Sequence, residues 1–137
     1  MNTILVGIDG SPAATQALSR AVELAQATGA SLAFVCVTRP SAGEDAATFD
    51  LRTAELAAIV ARAVGVHATT HAATGAPADA LAALAEELGA DLIVVGSRGL
   101  GSVRGAVLGS VSLALLRRAR TPVMVVKTRR LREPAAA

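Results

Sequence analysis

The chain has 137 residues, 53% hydrophobic and 1% aromatic: the length of one ordinary domain, able to bury roughly two thirds of the surface its unfolded form exposes. It lacks the run of about eighteen uncharged apolar residues that a membrane helix needs, and Met1 to Val6 enters an apolar stretch without the features of a secretory signal. The lone cysteine, Cys36, cannot form an internal disulfide, so a cytoplasmic location is expected. The basic balance belongs to the end of the chain, where Lys127, Arg129, Arg130 and Arg132 stand against Glu133. The remainder is close to neutral, and two Phe with no Trp or Tyr leave little to stack on bases, so no nucleic acid is expected as a partner.

Short runs of Val, Ile and Leu alternate with longer Ala-rich stretches of helical period, the pattern of a parallel sheet covered by helices. A first strand is predicted over residues 3–8. Ser11 then stands as N-cap, Pro12 at the first helical position and Gly29 past the end of a helix in which Ala14, Ala17, Leu18, Ala21, Val22 and Ala25 recur at three- and four-residue steps. A second strand over 31–37 leads into a surface loop read at 38–48. Gly65 and Gly89 each precede a strand, which predicts helices over about 46–64 and 77–88 and strands over 66–72 and 91–95. A fourth helix is predicted over 109–119. Arg117, Arg118 and Arg120 at its end complement the negative end of the helix dipole and are read as capping and solubility. A fifth strand over 122–126 completes a domain of residues 1–127, and residues 128–137 are read as a flexible basic tail.

In open parallel sheets ligands sit outside the carboxyl ends of the strands, where neighbouring connections leave to opposite faces. Asp9-Gly10-Ser11 follows the first strand, Val37-Thr38-Arg39 the second, and Gly96-Ser97-Arg98-Gly99-Leu100-Gly101 the fourth. With a strand order of 3-2-1-4-5, Asp9 faces the glycine-rich loop across one crevice. A carboxylate suits ribose hydroxyls or a metal. Glycines at 96, 99, 101, 105 and 109 let main-chain N–H groups approach an anion, and Gly109-Ser110 opens the fourth helix at its positive end. Ser110 and Ser112 can add hydroxyl donors, and Arg98 and Arg104 stand where they can pair with phosphate.

Neither common phosphate loop is present. A Walker A motif requires lysine where Ser102 stands, and a dinucleotide fingerprint requires glycine where Arg104 stands and follows the first strand rather than the fourth. His67 and His71 share one side of the third strand, but four residues of strand separate them by ~13 Å, too far for one metal ion. No Ser-His-Asp set or catalytic carboxylate pair emerges, and Cys36 reads as a buried structural thiol.

What remains is Gly96-x-x-Gly99, nine residues, then Gly109-Ser110. With Ile4-Leu5-Val6-Gly7-Ile8-Asp9-Gly10-Ser11, Gly75-Ala76-Pro77, Ala90-Asp91-Leu92-Ile93-Val94-Val95-Gly96-Ser97-Arg98-Gly99 and Thr121-Pro122-Val123-Met124-Val125-Val126, it resembles the ATP-binding branch of the universal stress protein family over nearly all of residues 2–127. The resemblance implies an α/β fold, an open five-stranded parallel sheet of order 3-2-1-4-5 with helices on both faces. This is the Rossmann-like, adenine nucleotide alpha hydrolase-like architecture. It implies ATP or another adenine nucleotide, with Mg²⁺ or Mn²⁺, as ligand. Asp9 is then expected near the ribose and the metal-bearing phosphates, Gly7 and Val37 along the adenine pocket, and Val95 on the same wall. Gly96, Gly99, Gly109 and Ser110 match phosphate-contacting positions, with Val111 and Ser112 beside them and Arg98 in the loop. A homodimer paired through Val123 to Val126 is also implied, for which an apolar edge strand supplies a motive. The expected function is nucleotide-dependent regulation in a stress response. Hydrolysis would be incidental, since no lysine or general base is dedicated to phosphoryl transfer. The alternatives are a nucleotide-independent dimeric scaffold and a slow metal-dependent ATPase.

Overall fold

The computed structural model describes residues 1–97 and 109–127. Along them run β1 (Thr3–Gly7), α1 (Pro12–Thr28), β2 (Ser31–Thr38), α2 (Glu44–Ala63), β3 (Ala68–Thr74), α3 (Pro77–Leu88), β4 (Leu92–Gly96), α4 (Ser110–Arg118) and β5 (Val123–Val126). The strands form one parallel sheet in the order β3-β2-β1-β4-β5, as the resemblance implied.

Side chains alternate across the sheet, and two apolar layers result. Ile4, Val6, Leu32, Phe34 and Val94 point towards α1 and α2, whereas Leu5, Val35, Ile93 and Val95 point towards α3 and α4. The sheet supplies the bulk and the helices supply closeness. The buried residues of α1 are Ala13, Ala14, Ala17, Ala21 and Ala25, and those of α2 are Ala54, Ala57, Ala58 and Ala61, so both helix backbones lie near the strands. At the amino-terminal edge the Asp91 carboxylate accepts hydrogen bonds from the N–H groups of Asn2, at 2.7 Å, and Thr3, at 3.1 Å. Those two bonds hold its pKa below the usual carboxylate value.

Several boundaries differ from the sequence reading. Residues 38–48 do not form one surface loop: Thr38 is the buried last residue of β2 and α2 already begins at Glu44. The Thr38 hydroxyl donates to Asp50 of α2 at 2.7 Å, which ties that helix to the strand it follows. β3 starts two residues later than predicted because Val66 closes the preceding helix. Gly65 takes a left-handed φ of 82°, its N–H reaches the carbonyl of Arg62, and the Val66 N–H reaches that of Ala61. Arg118 pairs with Asp79, and Arg120 approaches Glu86 at 3.9 Å, so two of the three arginines fasten the end of α4 to α3 through exposed contacts of little energetic weight.

Candidate functional site

The chain leaves β1 towards the α1 face and leaves β4 towards the α4 face, while β1 and β4 are neighbours in the sheet. Their carboxyl ends therefore open a crevice, and most of the expected site residues converge there.

On one side, Asp9 follows β1. One of its oxygens accepts the Ser11 N–H at 2.9 Å, and Gly10 turns with a φ of 79°. The cap of α1 is Ser11, whose hydroxyl accepts the Ala14 N–H at 3.2 Å. Asp9 shapes the approach to the helix and is not its cap, as the sequence reading required.

On the other side, β4 ends at Gly96, and a Cβ there would stand 2.6 Å from the carbonyl carbon of Ala13. Glycine is needed because α1 backbone passes directly over this residue. Ser97 is buried; its N–H donates to the Val126 carbonyl at 2.8 Å and its own carbonyl accepts the Gly109 N–H. The two ends of the segment 98–108 are thus held side by side, and α4 starts next to the place where β4 stops. Ser112, also buried, donates its hydroxyl to the Gly96 carbonyl at 2.8 Å and lies 3.4 Å from that of Ser97. Its hydroxyl positions the start of α4 against the end of β4.

Gly109 sits at the N-cap of α4 with extended backbone, φ −76° and ψ 166°, and no side chain among the described residues caps the helix. The first N–H groups of an α-helix have no acceptor within the helix, and those of α4 stand at the positive end of its dipole. Ser110 is exposed at this end and Val111 is half-buried behind it. Arg98 and Gly99, both expected to meet phosphate, lie outside the described residues, as do Gly101, Arg104 and Gly105.

Gly7, Val37 and Val95 come together on the α3 face. A Cβ on Gly7 would meet Val95 Cγ1 at 3.2 Å and the Leu81 methyls at 3.1 and 3.2 Å, and Val37 packs against the same apolar layer. Strand parity adds a polar edge to this wall. The Val35 carbonyl accepts the Ile8 N–H at 2.9 Å on the β1 side of β2, and Gly7 opposite Val35 is the last paired residue of β1. Two residues on, the Val37 N–H and C=O point in the same direction, past the point where β1 has turned away.

Sequence reasoning named Ser97 in the loop after the fourth strand without assigning it a role, and passed over the Thr38–Asp50 pair. Their signal is weak: a small hydroxyl residue at a strand end says nothing of what folds against it. Cys36 is buried, as expected. Burial first, and then the Asp50 carboxylate that accepts its hydrogen bond, push the thiol up to about 12, with the charges of Asp50 and Asp9 acting in the same direction. Among the described residues no group of three His, Cys, Asp or Glu is placed to hold a metal ion, and no helix is long and apolar enough to cross a membrane.

Residues 1–127 match the family model described as "Universal stress protein family". The universal stress protein Rv1636 of Mycobacterium tuberculosis is 35% identical over 143 aligned positions, covering 92% of this chain and 96% of the relative. Among solved structures, a universal stress protein in complex with cAMP is 38% identical, with a TM-score of 0.73 over 93% of this chain and 98% of its own. One from Archaeoglobus fulgidus in complex with dAMP is 25% identical, with a TM-score of 0.72 over 93% of this chain and 98% of its own. Family match, relatives and sheet order agree, and the chain belongs to the universal stress protein family.

Proposed function

We propose that this protein binds an adenine nucleotide, ATP in the first place, in the crevice between β1 and β4, and that occupancy regulates what the protein contacts. The observation that carries the reading is the start of α4 at Gly109, which no described side chain caps and which is hydrogen-bonded to Ser97 at the end of β4, the neighbour of the strand that leads to Asp9. A helix N-terminus with free N–H groups suits phosphate, and a carboxylate suits ribose hydroxyls. The Val37 N–H and C=O match the acceptor N1 and donor N6 of adenine, with Gly7 and Val95 providing room and an apolar wall. The complexes of relatives with cAMP and dAMP support the adenine class of ligand.

A cation fits this donor set if the nucleotide phosphates supply most of its ligands. Asp9 is the one carboxylate assigned to it, and Mg²⁺ or Mn²⁺ accepts such sites readily. When bound, the ion would neutralise phosphate charge. Gly96, Gly99, Gly109 and Ser110 would hold the phosphates through main-chain N–H groups, with Arg98 alongside and Val111 and Ser112 fixing the helix start. The regulatory reading also carries a homodimer through β5, Val123–Val126, which lies at the edge of the sheet with half-buried side chains.

The test is calorimetric titration of ATP, cAMP and dAMP, with and without Mg²⁺, into protein refolded to remove carried-over nucleotide. Saturable binding is expected, and Gly109→Val, at a backbone conformation valine adopts without strain, should abolish it. If folded wild-type protein binds none of the three, or folded Gly109→Val binds as tightly as wild type, the assigned site is wrong.

A further inference from the structure

The surface helices of a sheet protein bury one stripe and present the opposite one to water. α1 obeys this: Ser19, Arg20, Glu23 and Gln26 are exposed on its outer side. α2 does not. It buries Ala54, Ala57, Ala58 and Ala61, yet its outward side carries Phe49, Leu56, Ile59 and Val60, with exposures of 64%, 63%, 57% and 53%. Arg52 stands beside them, three residues after Phe49 and four before Leu56, and the apolar side chains remain exposed. Phe49, Thr53, Leu56, Val60 and Ala63 follow one another at steps of four, three, four and three, the spacing of a coiled-coil seam. Beside them a mostly apolar cleft of about 200 Å³ opens between α1 and α2, lined by Leu18, Thr15 and Ala14 on one side and by Thr53, Leu56 and Val60 on the other. Ile8 and Gly10, on either side of Asp9, also line it, so the cleft borders the nucleotide crevice, whereas Phe49 and Ile59 of the α2 stripe lie outside it.

We propose that the α2 face is a self-association surface whose occupant is α2 of a second copy of this chain, related by a two-fold axis. Area is the first argument. The four large side chains expose on the order of 400–500 Å² of apolar surface, comparable to the largest patch on an ordinary monomer. Two copies face to face would remove about twice that from water, and the flanking polar rim brings the total to roughly the 1,000 Å² a specific interface requires.

Charge is the second argument. On α2 itself Arg52 and Glu55, one of each sign, are exposed beside the apolar stripe, while Arg62 is held by the Ala68 carbonyl. A two-fold axis sets a surface against itself, and a balanced rim can pair with its own copy. An anionic membrane would call for an excess of Lys and Arg at the edge of the apolar stripe, which this rim lacks. The surface is separate from the β5 edge, since α2 packs on β2 and β3 at the other side of the sheet. Contacts at both would join dimers into larger assemblies.

Sedimentation velocity over a hundredfold concentration range tests this, using the full chain as wild type, Leu56→Glu, Ile59→Glu and Val125→Glu. Each α2 substitution falls on an exposed side chain, and circular dichroism melting identifies folded variants. Wild type is expected to associate with concentration, and both α2 variants should lower the limiting mass twofold. Val125→Glu, at the β5 edge, should leave the α2-dependent step in place. The proposal is overturned if wild type stays monomeric throughout, or if a folded α2 variant retains the wild-type mass at every concentration. It is equally overturned if α2 variants keep that mass but lose wild-type binding to vesicles of phosphatidylcholine with phosphatidylserine, which would assign the face to lipid. None of these readouts depends on nucleotide.

Discussion

Replacing Gly96 by alanine tests the close approach of α1 to the end of β4. The added methyl would stand 2.6 Å from the Ala13 carbonyl carbon and 2.8 Å from both the Ala13 Cβ and its carbonyl oxygen. Carbon atoms in contact prefer about 3.5–4.0 Å, so α1 must retreat by about 1 Å or the end of β4 must bend. Overpacking of a tight core costs typically 1–3 kcal/mol and occasionally more, and an obstacle of helix backbone, which cannot rotate aside, places Gly96→Ala at about 2–4 kcal/mol. For a domain of this size that corresponds to a fall in Tm of about 10 °C. Gly7→Ala is the matched comparison, because its methyl would meet Leu81 and Val95 side chains at 3.1–3.2 Å and these can give way. A cost of about 1 kcal/mol or less is expected there. Neither glycine has a positive φ, so the difference isolates packing from backbone conformation. Urea unfolding of the three proteins at one pH measures it. A folded Gly96→Ala protein within about 0.5 kcal/mol of wild type, or a larger loss at Gly7, would refute the account of why glycine stands at position 96.

Ser112→Ala removes the hydroxyl that donates to Gly96 and reaches towards Ser97, and should cost about 1–2 kcal/mol of unfolding free energy; an unchanged urea midpoint would count against Ser112 as the link between α4 and β4. For Cys36 the folded thiol titrates at about 12 against an ordinary 9.0, so the unfolded chain releases its proton first and stability falls as the pH rises from about 9 towards 12. Cys36→Ala should flatten that alkaline loss, and wild-type Cys36 should react with a thiol reagent at pH 8 only after unfolding. Equal alkaline slopes in both proteins, or rapid labelling of the folded state, would remove the burial argument.

How far the site could be read from residues alone differs from part to part. Asp9 and Ser11 were separable because capping is a contact between near neighbours: the hydroxyl at position 11 reaches the Ala14 N–H, and Asp9 stands outside that pattern. The glycines at 96 and 109 were conspicuous, yet both were read as permission for an anion to approach. Gly96 has a second reason that no local pattern carries, the passage of α1 over it. Ser112 was read as a donor towards ligand, and its hydroxyl is directed at the Gly96 carbonyl sixteen residues away. The loop expected at 38–48 failed for a similar reason. Polar and turn-forming residues there pointed to irregular chain, whereas Thr38 is buried at the end of β2 and bonded to Asp50 on the following helix.

Period, caps and breakers act over a turn of helix or a few residues of strand, and in this chain they were enough to set the succession of five strands and four helices and the limits of α1 and α3. The family motifs extended that to strand order, because relatives with those motifs share one path through space. Contacts between residues far apart in the chain belong to a different category. That Ser97 and Gly109 are hydrogen-bonded, that Gly7, Val37 and Val95 share one wall, and that α2 turns an apolar side outward all depend on how whole elements are packed. Packing is decided by mutual fit across the sheet, and a stripe of Leu, Ile and Val looks the same in sequence whether a neighbouring helix covers it or water does.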